Sequence, residues 1–391
     1  MVLASELDEG RFGAVFSVRL LLDRILLQWS SEATFFSKRD FFFMKWNRRD
    51  VLTSSLGAAA LAMTPAAASA ATSSWKAQRR VPYGAALGLA DLKSDPRLGV
   101  ALAEQCSLIV PVDELKWSRL RPNASTFAFD GADSLLSFAQ RNGLSMRGHT
   151  LVWYASMPEW TKTIDTPAKA ERALVEHIET VVSRYRGRIR SWDVVNEAIP
   201  DVARRPTDRR PSLWLDLLGD RHFALAFRTA AAADPQAQLV LNEYDVEFGD
   251  EHFPAKRAAF RNLVFRLLDA GAPLHAVGLQ CHLRGAKAID RDGLGRFVGE
   301  LHAAGVKVLI TELDVVDKEL PPSPLERDQI IARQVGDLLS TVTTAGPLDA
   351  LLTWAFRIAI AGFHICSRAA TVCRTGRSRS IATSAASRSC R

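Results

Sequence analysis

Ser191-Trp-Asp-Val-Val-Asn-Glu197 decides how this chain folds: a largely apolar run ends abruptly on an amide and a carboxylate. A buried parallel strand reads as a nearly continuous apolar run, and in a (β/α)8 barrel the chemistry sits where such strands end. The run Val306-Lys-Val-Leu-Ile-Thr-Glu312 closes in the same way, with Asp314 two residues beyond. Two such strands aim two carboxylates, Glu197 and Glu312, into one cleft. One carboxyl of such a pair can donate a proton to a glycosidic oxygen while the other attacks or activates water. Either glutamate taken alone reads equally well as a solvated strand-end carboxylate, so the pairing carries the argument.

Outward from these two runs, apolar strands alternate with stretches of helical period. Strands are expected over 83–88, 107–113, 145–153, 191–197, 238–243, 276–282, 306–312 and 350–354. Helices are expected over 96–105, 130–142, 223–233, 255–270, 293–304 and 327–342. In the second of these, Leu135, Leu136, Phe138 and Ala139 fall on a helical period, and Gly143 supplies the stop. Eight strands alternating with helices predict a single-domain α/β fold, a (β/α)8 TIM barrel over residues 81–356.

The formal charge of +7 invites a nucleic-acid reading until it is divided along the chain. Residues 1–43 carry 5 basic and 6 acidic groups, 44–70 carry 3 and 1, and 357–391 carry 7 and none, which leaves 35 and 36 for residues 71–356. The basic excess lies outside the body, and nucleic-acid binding loses its main support. Five cysteines with no CxxC spacing argue against a zinc site or a disulfide framework, and Cys106 and Cys281 sit in apolar runs as core residues.

Residues 44–70 combine Arg48-Arg49, the short apolar run after Ser54 and the small residues Ala66-Ala-Ala-Ser-Ala70. That is a twin-arginine-type export signal, which implies a periplasmic or secreted protein. Retention of the segment as an N-terminal anchor is the alternative, although the run is short and alanine-rich for a membrane span. Met44 is well placed as the true start, which makes 1–43 an upstream extension; N-terminal sequencing of protein made from the native gene decides this. Residues 71–80 read as a linker.

The body resembles glycoside hydrolase family 10, the endo-1,4-β-xylanases, over essentially all of residues 81–356. Five motifs stand in family order: Lys116-Trp117, Arg147-Gly-His-Thr-Leu-Val-Trp153, Asp193-Val-Val-Asn-Glu197, Gly278-Leu-Gln-Cys-His282 and Thr311-Glu-Leu-Asp314. The resemblance implies a retaining, endo-acting hydrolase of β-1,4-xylosidic bonds with xylan and xylo-oligosaccharides as partners. It implies no cofactor, no metal, no stable membrane association and a monomer. It casts Glu197 as acid/base and Glu312 as nucleophile, which retention requires to lie about 5 to 5.5 Å apart. Asn196 would meet the sugar 2-hydroxyl, and His282, held by Asp314, would keep Glu312 ionised. A metal site around His282 and His275 competes with that role but lacks ligand spacing.

Lys116, His149, Trp153 and Gln280 match positions lining the sugar subsite before the cleavage point. Trp354 would form a second aromatic wall and Tyr244 a further subsite contact, with simple core packing the rival role for Trp153 and Tyr244. Two departures, Val112-Asp113 in place of Glu-Asn and Tyr154 in place of His, are expected near the glycone subsite.

Beyond Phe356 the resemblance stops. The family's Asp-Arg-x-x-Trp segment and closing eighth helix are replaced by a 357–391 tail with seven Arg and no Asp, Glu or Lys. A reading-frame shift near codon 357 explains this composition; absence of Asp-Arg-x-x-Trp from the other two frames would sink that explanation, leaving a genuine basic tail. The eighth helix is therefore doubtful. The rival functions are an inactive or misfolded sugar-binding remnant of such an enzyme, and a β-1,4-glucanase.

Overall fold

The computed structural model describes residues 80–354 and the backbone of two paired short strands, Ile358–Ala359 and Gly362–Phe363. The expected upstream extension, the export signal, the linker up to residue 79, most of the atypical tail and the doubtful eighth helix lie outside the described residues.

Nine strands make up the main sheet: β1 Tyr83–Leu87, β2 Leu108–Pro111, β3 Ser145–Val152, β4 Ser191–Asn196, β5 Gln238–Glu243, β6 Ala276–Leu279, β7 His282–Arg284, β8 Lys307–Val316 and β9 Leu348–Thr353. β1 to β6 pair in sequence order, β6 pairs with β8, β8 with β9, and β9 with β1, all in parallel. The eight strands thus close into the expected (β/α)8 barrel with helices outside it.

Two strand boundaries differ from the sequence reading. The run 276–282 does not form one strand: Cys281 takes a left-handed φ of 60°, and His282 begins the separate strand β7. The run through Glu312 does not end there, because Asp314, Val315 and Val316 pair with His282, Leu283 and Arg284 and carry β8 four residues further.

Apolar side chains fill both layers of the barrel. Ala86, Leu108, Val110, Val240, Leu309 and Leu352 pack inside it. The larger cluster lies between strands and helices, where each fully buried Leu, Ile or Val contributes about 1.5–3 kcal/mol. The helix Pro167–Arg184 shows how the sequence builds this layer: Thr166 caps its start by accepting from Lys169 N–H, Pro167 opens it, and Ala170, Leu174, His177, Ile178 and Val181 form its buried stripe.

At Gly148 a Cβ would lie 2.0 Å from the Trp192 ring, so only glycine lets β3 and β4 meet there. At Gly278 a Cβ would lie 2.2 Å from the Asn242 side-chain oxygen, so this glycine clears space for an amide of the site. Among the described residues no helix is long and apolar enough to cross a membrane.

Candidate active site

The sequence-derived residues converge at the C-terminal mouth of the barrel. Glu197 follows the last residue of β4 with a left-handed φ of 56°, and its N–H donates to the Asn242 carbonyl at 2.9 Å. Glu312 sits within β8, buried, with its N–H on the Gln280 carbonyl at 3.0 Å.

Three amides join the two carboxylates. Asn242 Nδ2 donates to Glu312 Oε1 at 2.7 Å and to Asn196 Oδ1 at 2.8 Å. Gln280 Nε2 meets the same Asn196 oxygen and Glu197 Oε1, both at 3.2 Å. Thr311 Oγ1 donates to Asn242 Oδ1 at 2.7 Å and so fixes which end of that amide faces Glu312. The other Glu197 oxygen accepts from Trp153 Nε1 at 2.8 Å.

Two histidines flank the Glu312 carboxylate, each held by an aspartate. His282 Nε2 lies 3.3 Å from Glu312 Oε2 while its Nδ1 donates to Asp314 Oδ1 at 2.7 Å. His149 Nδ1 donates to Asp193 Oδ2 at 3.0 Å and lies 3.9 Å from Glu312 Oε1; Arg147 Nη2 closes this second relay on Asp193 Oδ1 at 2.6 Å. Burial alone would push the Glu312 carboxyl up, but the charge of His149, the contact with His282 and the Asn242 hydrogen bond outweigh it and hold it below the ordinary 4.5. Burial works against a charged His282 as well, yet Asp314 and Glu312 together raise its imidazole well above 6.5. Glu312 and His282 thus each favour the charged form of the other.

The flat faces come from two indoles. Lys116 Nζ sits 5.0 Å from the Trp153 ring centre and 5.9 Å from that of Trp354. The rings of His149 and His282 meet Trp354 edge-on at 5.3 and 6.1 Å. The departure residue Asp113 engages this corner directly through a 3.3 Å ion pair with Lys116.

Tyr244, expected as a further subsite contact, is half-buried among polar partners. Its hydroxyl is bonded to Asp201 and, at 2.7 Å, to Arg210, and Lys256 Nζ lies 3.3 Å from its ring centre. Tyr154 packs on Arg210 and edge-on against Trp153, beside Glu197. Sequence reasoning missed Asn242, Asp193, Arg147, Thr311 and Arg210 as parts of this site. A signal for Asn242 existed: β5 ends in Asn242-Glu243 as β4 ends in Asn196-Glu197, and the two asparagines pair in register.

Glu247 is fully buried, neither of its oxygens meets a donor in hydrogen-bond geometry among the described residues, and the Cys281 thiol lies beside it. Burial first, then the charge of Asp245, pushes its carboxyl up to about 6. The native state therefore holds this proton more tightly than the unfolded chain, whose ordinary value is 4.5. Below about pH 4 both states are protonated and nothing is lost, whereas above pH 6 folding carries a penalty of about 2 kcal/mol. Glu247→Gln, fixed neutral, should gain stability over the parent on going from pH 4 to pH 8 by about that amount. Urea unfolding at the two pH values checks this, and an equal effect at both refutes it.

Residues 72–357 match the family described as Glycosyl hydrolase family 10. The chain is 36% identical over 236 residues to endo-1,4-β-xylanase C of Phanerodontia chrysosporium, covering 60% of this chain and 56% of that protein. It is 35% identical over 224 residues to endo-1,4-β-xylanase B of Paenibacillus barcinonensis, covering 56% and 64%. The chain thus spans less than two thirds of the length of these relatives. Among solved structures it resembles xylanase 10B from Thermotoga petrophila RKU-1 in complex with xylobiose, with a TM-score of 0.65, 28% identity and coverage of 71% of this chain and 82% of that one.

Proposed function

The chain belongs to glycosyl hydrolase family 10, and we propose that it is a retaining endo-1,4-β-xylanase with Glu312 as nucleophile and Glu197 as acid/base. The observation that carries the reading is the amide-linked pair of carboxylates with unlike surroundings. Glu312 is buried between two Asp-held histidines and kept ionised, while Glu197 is half-buried at the rim with its carboxyl on two N–H donors.

In the first step a Glu312 oxygen attacks the anomeric carbon as Glu197 passes its proton to the departing oxygen, leaving a glycosyl ester on Glu312. In the second, Glu197 takes a proton from water, the water oxygen attacks the same carbon, and Glu312 leaves as the carboxylate. Asn196 Oδ1 already accepts two N–H groups, so its NH2 end is the one that meets the 2-hydroxyl, a contact that strengthens as positive charge develops on the sugar. Trp153 and Trp354 offer faces for pyranose rings, with Lys116 and His149 as hydroxyl partners. Gln280 serves the acid/base and Asn196 more directly than the sugar, by its contacts.

The substrates are xylan and xylo-oligosaccharides, as the names of the relatives suggest. The protein acts as a monomer, and it acts after export, the latter reading supported by residues 44–70 alone. The test is hydrolysis of an aryl β-xylobioside followed by NMR: the first sugar formed should be the β-anomer, and xylan should fragment internally. The α-anomer first, or greater activity on a mixed-linkage β-glucan than on xylan, overturns the assignment.

A further inference from the structure

Besides the two groups on its carboxyl, Glu197 has a cationic partner on its backbone. Arg210 Nε donates to the Glu197 carbonyl at 2.9 Å, and the Arg210 N–H donates to the next carbonyl, that of Ala198, at 2.7 Å. One residue further, the Ile199 N–H donates at 2.9 Å to the fully buried carboxyl of Glu243, which lies 3.2 Å from Lys256 Nζ. Three consecutive residues after β4 are thus fixed through their backbone.

The guanidinium is itself over-determined. Its Nη2 donates to Asp201 Oδ1 at 2.8 Å and to the Tyr244 hydroxyl at 2.7 Å. Its carbon lies 4.5 Å from the centre of the Tyr154 ring and 5.6 Å from that of Tyr244. Only a planar, permanently charged fork can donate along its edge in two directions while presenting a face to an aromatic ring.

The need for such a clamp follows from the backbone. Glu197 holds a φ of 56°, in the left-handed region that a residue with a Cβ seldom occupies, and its neighbours must enforce it. Relaxing φ would swing the carboxyl away from Trp153 Nε1 and Gln280 Nε2, and a displacement of about 1 Å in a reacting group can cost on the order of a hundredfold in rate.

We propose that Arg210 is the positioning residue of the acid/base: it pins the 197–198 backbone in the left-handed turn that aims the Glu197 carboxyl at the leaving oxygen, with the Tyr154 ring holding the guanidinium plane. This rests on the reading of Glu197 as acid/base. Arg210 acts on the reaction through Glu197, by its backbone and, by way of Tyr154 and Trp153, at its carboxyl.

The test compares kcat/KM on two substrates. An aryl β-xylobioside with a dinitrophenol leaving group needs no protonation, whereas xylan needs it fully. Arg210→Met and Arg210→Lys should each lose about 10- to 100-fold on xylan, part of what general acid catalysis contributes, and no more than about threefold on the dinitrophenyl substrate. Melting curves confirm folding, and the lysine variant carries the test if the methionine variant does not fold. Equal losses on both substrates, or none on either, overturn the proposal. Glu197→Ala measured alongside separates the two ideas: if it too loses both substrates equally, the acid/base assignment fails, and if it spares the dinitrophenyl substrate while the Arg210 variants do not, only the positioning role fails.

Discussion

Glu312→Gln is expected to cut kcat on an aryl β-xylobioside by at least about 10⁵, the scale seen when a covalent nucleophile is removed from an enzyme that works through it. The substitution keeps volume and removes the attacking charge, so the loss reports chemistry more than packing. Packing does not escape entirely. Oε1 of Glu312 accepts from Asn242 and Oε2 faces His282, and an amide must turn a donor toward one of these donors, costing about 1–3 kcal/mol of stability. His282 would also lose one of the two carboxylates that raise its pKa, so its imidazole should titrate lower than in the parent, a shift visible by NMR in a folded but inactive variant. In the parent, the depressed Glu312 pKa places the acid limb of kcat/KM below 4.5, with activity falling as pH drops through it. Retention of more than about one per cent of parental activity would remove Glu312 from its assigned role.

The barrel was legible because parallel strands buried on both faces leave a signal that survives without structure: apolar runs spaced by helical periods. What stayed hidden depended on backbone angles and on polar side chains turned inward. Asn196-Glu197 and Asn242-Glu243 are the same dipeptide at paired strand ends, yet their glutamates part ways. Glu197 turns left-handed and reaches the cleft, while Glu243 stays in β5, fully buried against Lys256. Nothing local in either sequence distinguishes them. The break after β6 was invisible for a related reason, since it needs a left-handed residue and the chain uses cysteine there, not glycine. Arg147 and Asp193 open two of the five motifs, but the sequence assigns neither of them a role. Only the register that sets His149 opposite Asp193 turns them into a relay beside the nucleophile.

Glu197→Ala separates acid catalysis from everything else at the site. Its kcat/KM on xylan should fall by about 10²–10⁴, because a sugar hydroxyl is a poor leaving group without a proton. On a dinitrophenyl β-xylobioside kcat/KM should stay near the parental value, because Glu312 and its relay are untouched and the departing phenolate needs no help. The second step still lacks its base, so the glycosyl ester on Glu312 should accumulate and turnover should stall after a burst equal to the enzyme present. Removing the carboxyl leaves Trp153 Nε1 and Gln280 Nε2 aimed at the position of an anion. Added azide fits that charge and size, and it needs no base in order to attack the anomeric carbon, so turnover of the dinitrophenyl substrate should rise with azide and yield β-xylobiosyl azide. A variant equally impaired on both substrates, or one whose azide product is the α-anomer, would mean that the carboxylate at the end of β4 does some other work.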